Sequence, residues 1–221
     1  MSFIKRLGAM YHDSDFRLLE AILPDEPFVL DVGANKGQSI LSIKFARPKA
    51  IIHSFEPNPE FNDQLQTLAD LYQGVTIHNF GLGHSYSEME FFIPVINGIR
   101  YPEEATMRLE ALQEPWIVEK HKRRGQVTFE VIRAHIRVGD MFRFAPDLIK
   151  IDVEGVESEV VDGLKKTIEY YSPILLIENG DWHRLNPIIL ELGYVAMMPD
   201  ESFSKLIPFS GARANTFYVK Q

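Results

Sequence analysis

The chain contains no cysteine among its 221 residues. Disulfides and thiolate metal sites are therefore excluded, which agrees with a reducing compartment. Long apolar runs are missing as well, so no membrane span is expected. The start, Met1-Ser2-Phe3-Ile4-Lys5-Arg6, carries basic residues without the apolar segment of a signal peptide. A cytoplasmic protein with no membrane attachment is the expectation. Basic residues are outnumbered: the net charge of −8 speaks against a basic face for nucleic acid, so no nucleic-acid partner is expected. Internal repeats and low-complexity tracts are also absent. With 45% hydrophobic residues, a single domain with a substantial core is expected over residues 1–221.

What is present is organised around Phe28-Val29-Leu30-Asp31-Val32-Gly33-Ala34-Asn35-Lys36-Gly37-Gln38. It begins as a short apolar run, as in a strand buried on both faces. It breaks at Gly33 and Gly37, and Ile40, Leu41, Ile43 and Phe45 then follow at helical spacing. Strand, glycine turn and helix are read in that order. The turn brings the N–H groups of a helix N-terminus to the strand end, where they can receive an anion. Asp31 bears on what binds there. The spacing is G-x-x-x-G rather than the dinucleotide G-x-G-x-x-G. A carboxylate at the strand end disfavours pyrophosphate and favours an ammonium or sulfonium. S-adenosylmethionine (SAM) carries both cations, plus a carboxylate for the helix N–H groups. An ordinary strand-to-helix turn of an α/β protein would look the same at this level.

The next strand, Ala50-Ile51-Ile52-His53-Ser54-Phe55, ends in Glu56-Pro57-Asn58-Pro59. In a βαβ unit, an acid at the end of the second strand can accept bonds from ribose hydroxyls, and Glu56 lies at a fitting separation from the glycine turn. A solvated carboxylate before a proline turn is the plainer alternative.

The remaining periodicities complete an α/β pattern. Residues 13–23 read as a helix capped by Asp13 or Ser14. Residues 59–72 read as a second helix stopped by Gly74, and 75–80 as a third strand leading to Gly81-Leu82-Gly83. Residues 88–95 form a further strand, and 127–144 one or two strands or a hairpin. Between them, residues 97–126 are irregular and carry the basic run Lys120-His121-Lys122-Arg123-Arg124. This segment reads as a solvated loop or as an acceptor-side insertion, a lid over the site. The buried strand Leu148-Ile149-Lys150-Ile151 ends in Asp152-Val153-Glu154-Gly155, a helix follows over 156–171, and Ile174-Leu175-Leu176-Ile177 ends in Glu178-Asn179. A short helix over 186–192, late strands over 193–198 and 215–219, and a polar loop over 199–214 close the chain. The alternation predicts a doubly wound, mostly parallel sheet of Rossmann-like type with helices on both faces and an antiparallel C-terminal strand. Ligands of such sheets bind at the carboxyl ends of the strands, where Asp31, Glu56, Asp152, Glu154 and Glu178 all fall. His183 lies just beyond the last of these ends and is a candidate base, because an imidazole titrates near about 6.5.

Three stretches, Asp31-Val32-Gly33-Ala34-Asn35-Lys36-Gly37, Phe55-Glu56-Pro57-Asn58-Pro59 and Leu148-Ile149-Lys150-Ile151-Asp152-Val153-Glu154-Gly155-Val156-Glu157, together resemble the FkbM-type methyltransferase family, in that order along the chain. The resemblance implies a class I SAM-dependent methyltransferase fold. It also implies O-methylation of a hydroxyl on a sugar, polyketide or related small metabolite, with SAM as cofactor. Carried over by position, Asp31, Gly33, Asn35 and Gly37 would hold the methionine end of SAM and Glu56 the ribose. Asn79 and Gly81 would approach the adenine. Asp152 and Glu154 would face the methyl group and a small-molecule or glycan hydroxyl acceptor. The family pattern implies no metal, and none is predicted, although Asp152, Glu178 and Asn179 are residue types that suit Mg²⁺. A SAM-binding module without turnover is the alternative function. An NAD-dependent oxidoreductase fits the glycine spacing and Asp31 less well.

Overall fold

The computed structural model describes residues 11–102, 105, 125–153, 155–178, 182–211 and 214–221. A 3₁₀ turn, Ser14–Leu18, runs into one turn of helix, α1 (Leu19–Ile22). Asp13 caps the turn by accepting the Asp15 N–H at 2.9 Å. Then follow β1 (Phe28–Val32), α2 (Gln38–Ala46), β2 (Ile51–Phe55), α3 (Asn62–Leu71) and β3 (Val75–His78). These are two successive strand–helix–strand units with parallel strands, of the kind the alternation predicts. Four strands come next: β4 (Gly81–Gly83), β5 (Ser87–Ile96), β6 (Ile99–Arg100) and β7 (Val127–Val138). The chain returns with β8 (Leu148–Ile151), α4 (Glu157–Gly163), α5 (Lys165–Tyr171), β9 (Ile174–Glu178) and α6 (Trp182–Glu191). It finishes with β10 (Tyr194–Pro199), β11 (Leu206–Pro208) and β12 (Asn215–Lys220).

The main sheet has the order β11-β10-β12-β9-β8-β1-β2-β3. From β9 to β3 every pair is parallel, and β10, β11 and β12 pair antiparallel at the other edge. The mostly parallel sheet with an antiparallel C-terminal strand is therefore present. The antiparallel part is larger than expected, because the segment read as a polar loop over 199–214 contains β11. Strand alternation sorts the core into two layers. Val29 and Leu148 face one side, with Ile40, Ile43, Leu65 and Leu68 of α2 and α3. Leu30, Val32, Ile149 and Ile151 face the other, with Val160, Val161, Ile168, Leu185 and Ile189 of α4, α5 and α6. Near the β2–β3 edge this second face is covered by stacked rings instead of a helix: Phe142 and Phe144 stack on each other, and His78 stacks on Phe55.

Two expected helices differ from their sequence reading. Residues 13–23 split into a 3₁₀ turn and a single α-turn, and residues 156–171 break at Leu164 between α4 and α5. The break at Leu164 buries that side chain beside Gly139, where a Cβ would meet Leu164 Cδ2 at 2.4 Å. Residues 127–144 resolve as one long strand, β7, followed by a 3₁₀ turn at Gly139–Phe142. β7 pairs antiparallel with the whole of β5, from Ser87↔Ile136 to Ile96↔Val127, in a second sheet of order β4-β7-β5-β6. Most of the expected insertion over 97–126 lies outside the described residues. Its beginning is anchored by Arg100, 2.8 Å from Glu60, and by the Pro102 carbonyl, which accepts from Asn58 Nδ2 at 3.3 Å.

Candidate functional site

In the main sheet, the crossovers from β1 run toward β3 and those from β8 run toward β9, so the order reverses between β1 and β8. Ligands of open α/β sheets bind at the carboxyl ends beside such a switch point. A cavity of about 210 Å³ lies there. Gly33, Asn35, Glu56, Gly81, Asp152 and Lys150 are among its walls, and the second sheet contributes Met89, Phe91 and Ile136. A neighbouring cavity of about 450 Å³ shares His12, Lys150 and Asp152 with it and adds Asp13, Glu178 and Asn215.

The glycine turn closes the first cavity at the end of β1. Gly33 has φ +82°, and a Cβ there would meet the Asp152 carbonyl oxygen at 1.8 Å. Only glycine lets the turn lie this close to the exit of β8. Gly37, with φ +84°, starts α2, and a Cβ on it would meet Leu68 Cδ1 at 2.2 Å. Its role is to let α2 pack on α3, and it does not line the cavity.

Glu56 is buried at the end of β2. Its Oε2 accepts the Asn35 N–H at 2.7 Å and its Oε1 accepts the Asn58 N–H at 2.8 Å. Burial raises its pKa to about 7, against the lowering effect of those two N–H bonds. Each carboxylate oxygen accepts one loop N–H, which leaves a further lone pair on each for a ligand hydroxyl. Asn35 also lines the cavity, and its buried side-chain Oδ1 has no hydrogen-bond partner among the described residues.

Asp31 is placed differently from expectation. It is fully enclosed and absent from the cavity wall. Its Oδ2 accepts from Ser39 Oγ at 2.8 Å and Ser54 Oγ at 2.9 Å, and its Oδ1 lies 3.4 Å from Lys150 Nζ. Asp31 supports the turn from beneath. Lys150 itself donates to the Gly33 carbonyl at 2.7 Å and lies 3.5 Å from Asp152 Oδ2. Burial opposes its charge, but Asp31 and Asp152 outweigh burial and hold its pKa above the ordinary lysine value. For Asp152, burial pushes upward, yet Lys150 and a bond to Glu178 prevail and hold the carboxyl below its usual range. Asp152 is 40% exposed and therefore reachable by a ligand.

Gly81 lines the cavity, but the space above it is filled by protein: a Cβ would meet Ile136 Cδ1 at 2.7 Å and Pro57 Cγ at 3.4 Å. Asn79 is exposed in the bend before β4 and does not line the cavity. His183 is exposed on α6, outside both cavities. Glu154 lies outside the described residues. Two imidazoles do reach the first cavity, His12 and His84, and of these His12 lines both cavities. Its Nδ1 is 2.8 Å from Ser42 Oγ. Its surroundings, burial first and then Lys150, lower its pKa below 6.5. No sequence signal marks His12, which lies far from every motif. Lys150 did carry one: a lone cation within a four-residue apolar strand.

The FkbM methyltransferase domain model matches residues 31–207, most of the chain. The chain belongs to the FkbM methyltransferase family. Among relatives of this FkbM chain, Methyltransferase 1 of Beauveria bassiana is 28% identical over 182 residues, which cover 78% of this chain and 67% of that protein. Hexuronic acid methyltransferase AglP of Haloferax volcanii is 27% identical over 157 residues, covering 69% and 56%. The chain thus spans little more than half to two thirds of the length of these relatives. Among solved structures, the methyltransferase FkbM of Methylobacillus flagellatus KT superposes with TM-score 0.58 at 17% identity, covering 96% of this chain and 47% of that one. A SAM-dependent O-methyltransferase of Thermotoga maritima superposes with TM-score 0.50 at 11% identity, covering 100% and 71%. The fold is that of class I SAM-dependent methyltransferases, and SAM is the cofactor expected of it. The cavity fits that cofactor: Glu56 has acceptor capacity to spare, Asn35 Oδ1 is unpartnered, and Gly33 keeps the floor open. No helix among the described residues is long and apolar enough to cross a membrane.

Proposed function

We propose that this chain transfers the methyl group of SAM to a hydroxyl oxygen of a sugar, a polyketide or a related small metabolite. The observation that carries the reading is the meeting of two cavities at Asp152. One holds the ribose-type acceptor Glu56. The other is walled by hydrogen-bonding groups, among them Asp13, Glu178 and Asn215, suited to a hydroxylated acceptor. The relative that acts on hexuronic acid supports a sugar among the candidates.

SAM supplies an already activated methyl group, so the protein's task is alignment and removal of one proton. Glu56 receives the ribose hydroxyls. Gly33 and Asn35 form the turn around the methionine end, with Asp31 beneath them. Asp152, kept ionised by Lys150, is a weak proton acceptor but a good hydrogen-bond acceptor, and it orients the incoming hydroxyl. His12, neutral at pH 7 and facing both cavities, accepts the proton. Pro102 and Ala105, at the start of the 97–126 segment, stand on the wall of the cavity that contains Glu56.

The test is detection by mass of a methylated product from isotopically labelled SAM and a panel of methyl glycosides, uronic acids and macrolides. Methylation at oxygen is the expected result. SAM binding with no product from any acceptor class would leave the non-catalytic alternative in its place.

A further inference from the structure

We propose that the second cavity takes neutral or ammonium-bearing sugars as methyl acceptors and rejects uronic acids, with Asp13 and Glu178 as the specificity-determining residues. The proposal rests on the methyl-transfer reading above and narrows its acceptor class.

The described wall of this cavity, about 450 Å³ in volume, holds three carboxyl groups, Asp13, Asp152 and Glu178, and one lysine, Lys150. Its preference follows from which hydrogen-bonding groups the protein already uses. An ammonium has three donors. Those of Lys150 are taken up by the Gly33 carbonyl at 2.7 Å, Asp31 Oδ1 at 3.4 Å and Asp152 Oδ2 at 3.5 Å. Asn215 has two amide N–H donors. Its Nδ2 gives them to Asp13 Oδ2 at 2.7 Å and Asp15 Oδ2 at 3.3 Å. Among the described wall residues, the charged and amide donors are thus committed within the protein. Ser14 and His12 remain, and His12 is neutral at pH 7 because burial and Lys150 lower its pKa.

The acceptor oxygens are in surplus. Asp13 Oδ1 accepts the Asp15 N–H and Oδ2 accepts Asn215, which leaves a further lone pair on each. Asp152 and Glu178 are bonded carboxyl to carboxyl, so one proton lies between them. Two carboxyl groups this close do not both ionise. A third carboxylate, arriving on a uronic acid, brings only acceptors and meets no uncommitted cation on this wall. It stands instead among like charges, which strongly disfavours binding. Hydroxyl and ammonium groups bring donors, and the carboxyl oxygens receive them.

The experiment measures kcat/KM with labelled SAM for methyl hexosides of gluco, galacto and manno configuration. Each is supplied with a hydroxymethyl, an aminomethyl or a carboxylate group at C6, and a macrolide is run beside them. At pH 7 the hydroxymethyl and aminomethyl forms are expected to exceed the carboxylate form by about tenfold or more. Glu178→Lys puts an additional cation on the wall and is expected to move the carboxylate-to-aminomethyl ratio about tenfold or more toward carboxylate. If Glu178→Lys shows no cooperative melting, Asp13→Asn, which keeps an oxygen to cap Asp15, must move the ratio the same way by about threefold or more. A ratio that does not move in the variant that folds overturns the proposal. So does a wild type that methylates the carboxylate form as fast as the hydroxymethyl form. Methylation of the macrolide and of no hexoside overturns the proposal alone. Product from neither overturns the methyl-transfer reading and the proposal with it.

Discussion

Asp31 and Lys150 are direct cross-strand partners in the β1–β8 ladder, with the carboxylate and ammonium 3.4 Å apart. Ser54 is the partner of Asp31 on the other side, in β2, and donates to it at 2.9 Å. A row of three polar side chains therefore crosses the centre of an apolar sheet just below the glycine turn. Removing one member of a buried pair leaves the other uncompensated. Asp31→Ala is expected to destabilise the fold by about 3 kcal/mol, which lowers the melting temperature by roughly 10 °C in a domain of this size. Thermal melting measures this, and a change under about 2 °C would mean that Asp152 alone suffices for Lys150.

Glu56 makes both stability and ligand binding depend on pH. Its pKa is raised from 4.5 to about 7 by burial. A raised carboxyl pKa means that the folded state holds the proton more tightly than the unfolded chain. The associated stabilisation is complete below pH 4.5 and is lost as pH rises through about 7. It amounts to about 3 kcal/mol. Urea denaturation of Glu56→Gln, compared with wild type from acid to neutral pH, should lack this component.

SAM binding should run the opposite way. Ribose hydroxyls donate to the ionised form of Glu56, so affinity is expected to rise with pH through about 7 in wild type. Glu56→Ala should bind about tenfold more weakly or worse and show no such rise. Calorimetry at several pH values checks both statements.

Gly33 and Gly98 have nearly the same backbone, φ +82° and +79°, but different surroundings. A Cβ on Gly98 meets nothing within 4 Å. Gly98→Ala is expected to cost only the left-handed strain, about 1 kcal/mol, and to leave SAM binding intact. Gly33→Ala drives a methyl into the Asp152 carbonyl and is expected to cost more and to abolish SAM binding. Equal SAM affinity in the two variants would remove the Gly33 turn from the site.

His12→Gln is expected to lower turnover by about 100-fold or more and to flatten the acid side of the pH profile. In wild type that limb should lie below pH 6.5, because the His12 pKa is lowered. His183→Gln, on an exposed helix face, should behave as wild type. The reverse pattern would return the proton-accepting role to His183.

Lys150 places a positive charge between Asp31 and Asp152, where a divalent cation would otherwise gather carboxylates. Turnover is therefore expected to survive exhaustive dialysis against EDTA. Recovery only on adding Mg²⁺ would make Asp152 and Glu178 its ligands instead.

The amino-acid sequence determined the parts of this protein that depend on local pattern. Apolar runs of four or five residues ending in glycine or acid mark strands buried on both faces, and their alternation with helical periodicity leaves a parallel sheet as the consistent arrangement. Glu56 and Asp152 were legible for that reason, because a residue at the carboxyl end of such a strand falls at the ligand edge. Tertiary structure alone decided what pairing and packing control. Asp31 stands at a strand end as well, but its side chain is enclosed by Ser39, Ser54 and Lys150, which are remote in sequence and adjacent only through the β1–β2 and β1–β8 registers. Gly37 and Gly81 carry the glycine signal of a binding loop, yet the space each leaves is filled by leucine, isoleucine or proline from another element. His12 enters the site because the N-terminal turn folds across the β8 end and bonds to Ser42 of α2. No periodicity encodes that contact, since His12 and Ser42 stand on separate segments 30 residues apart.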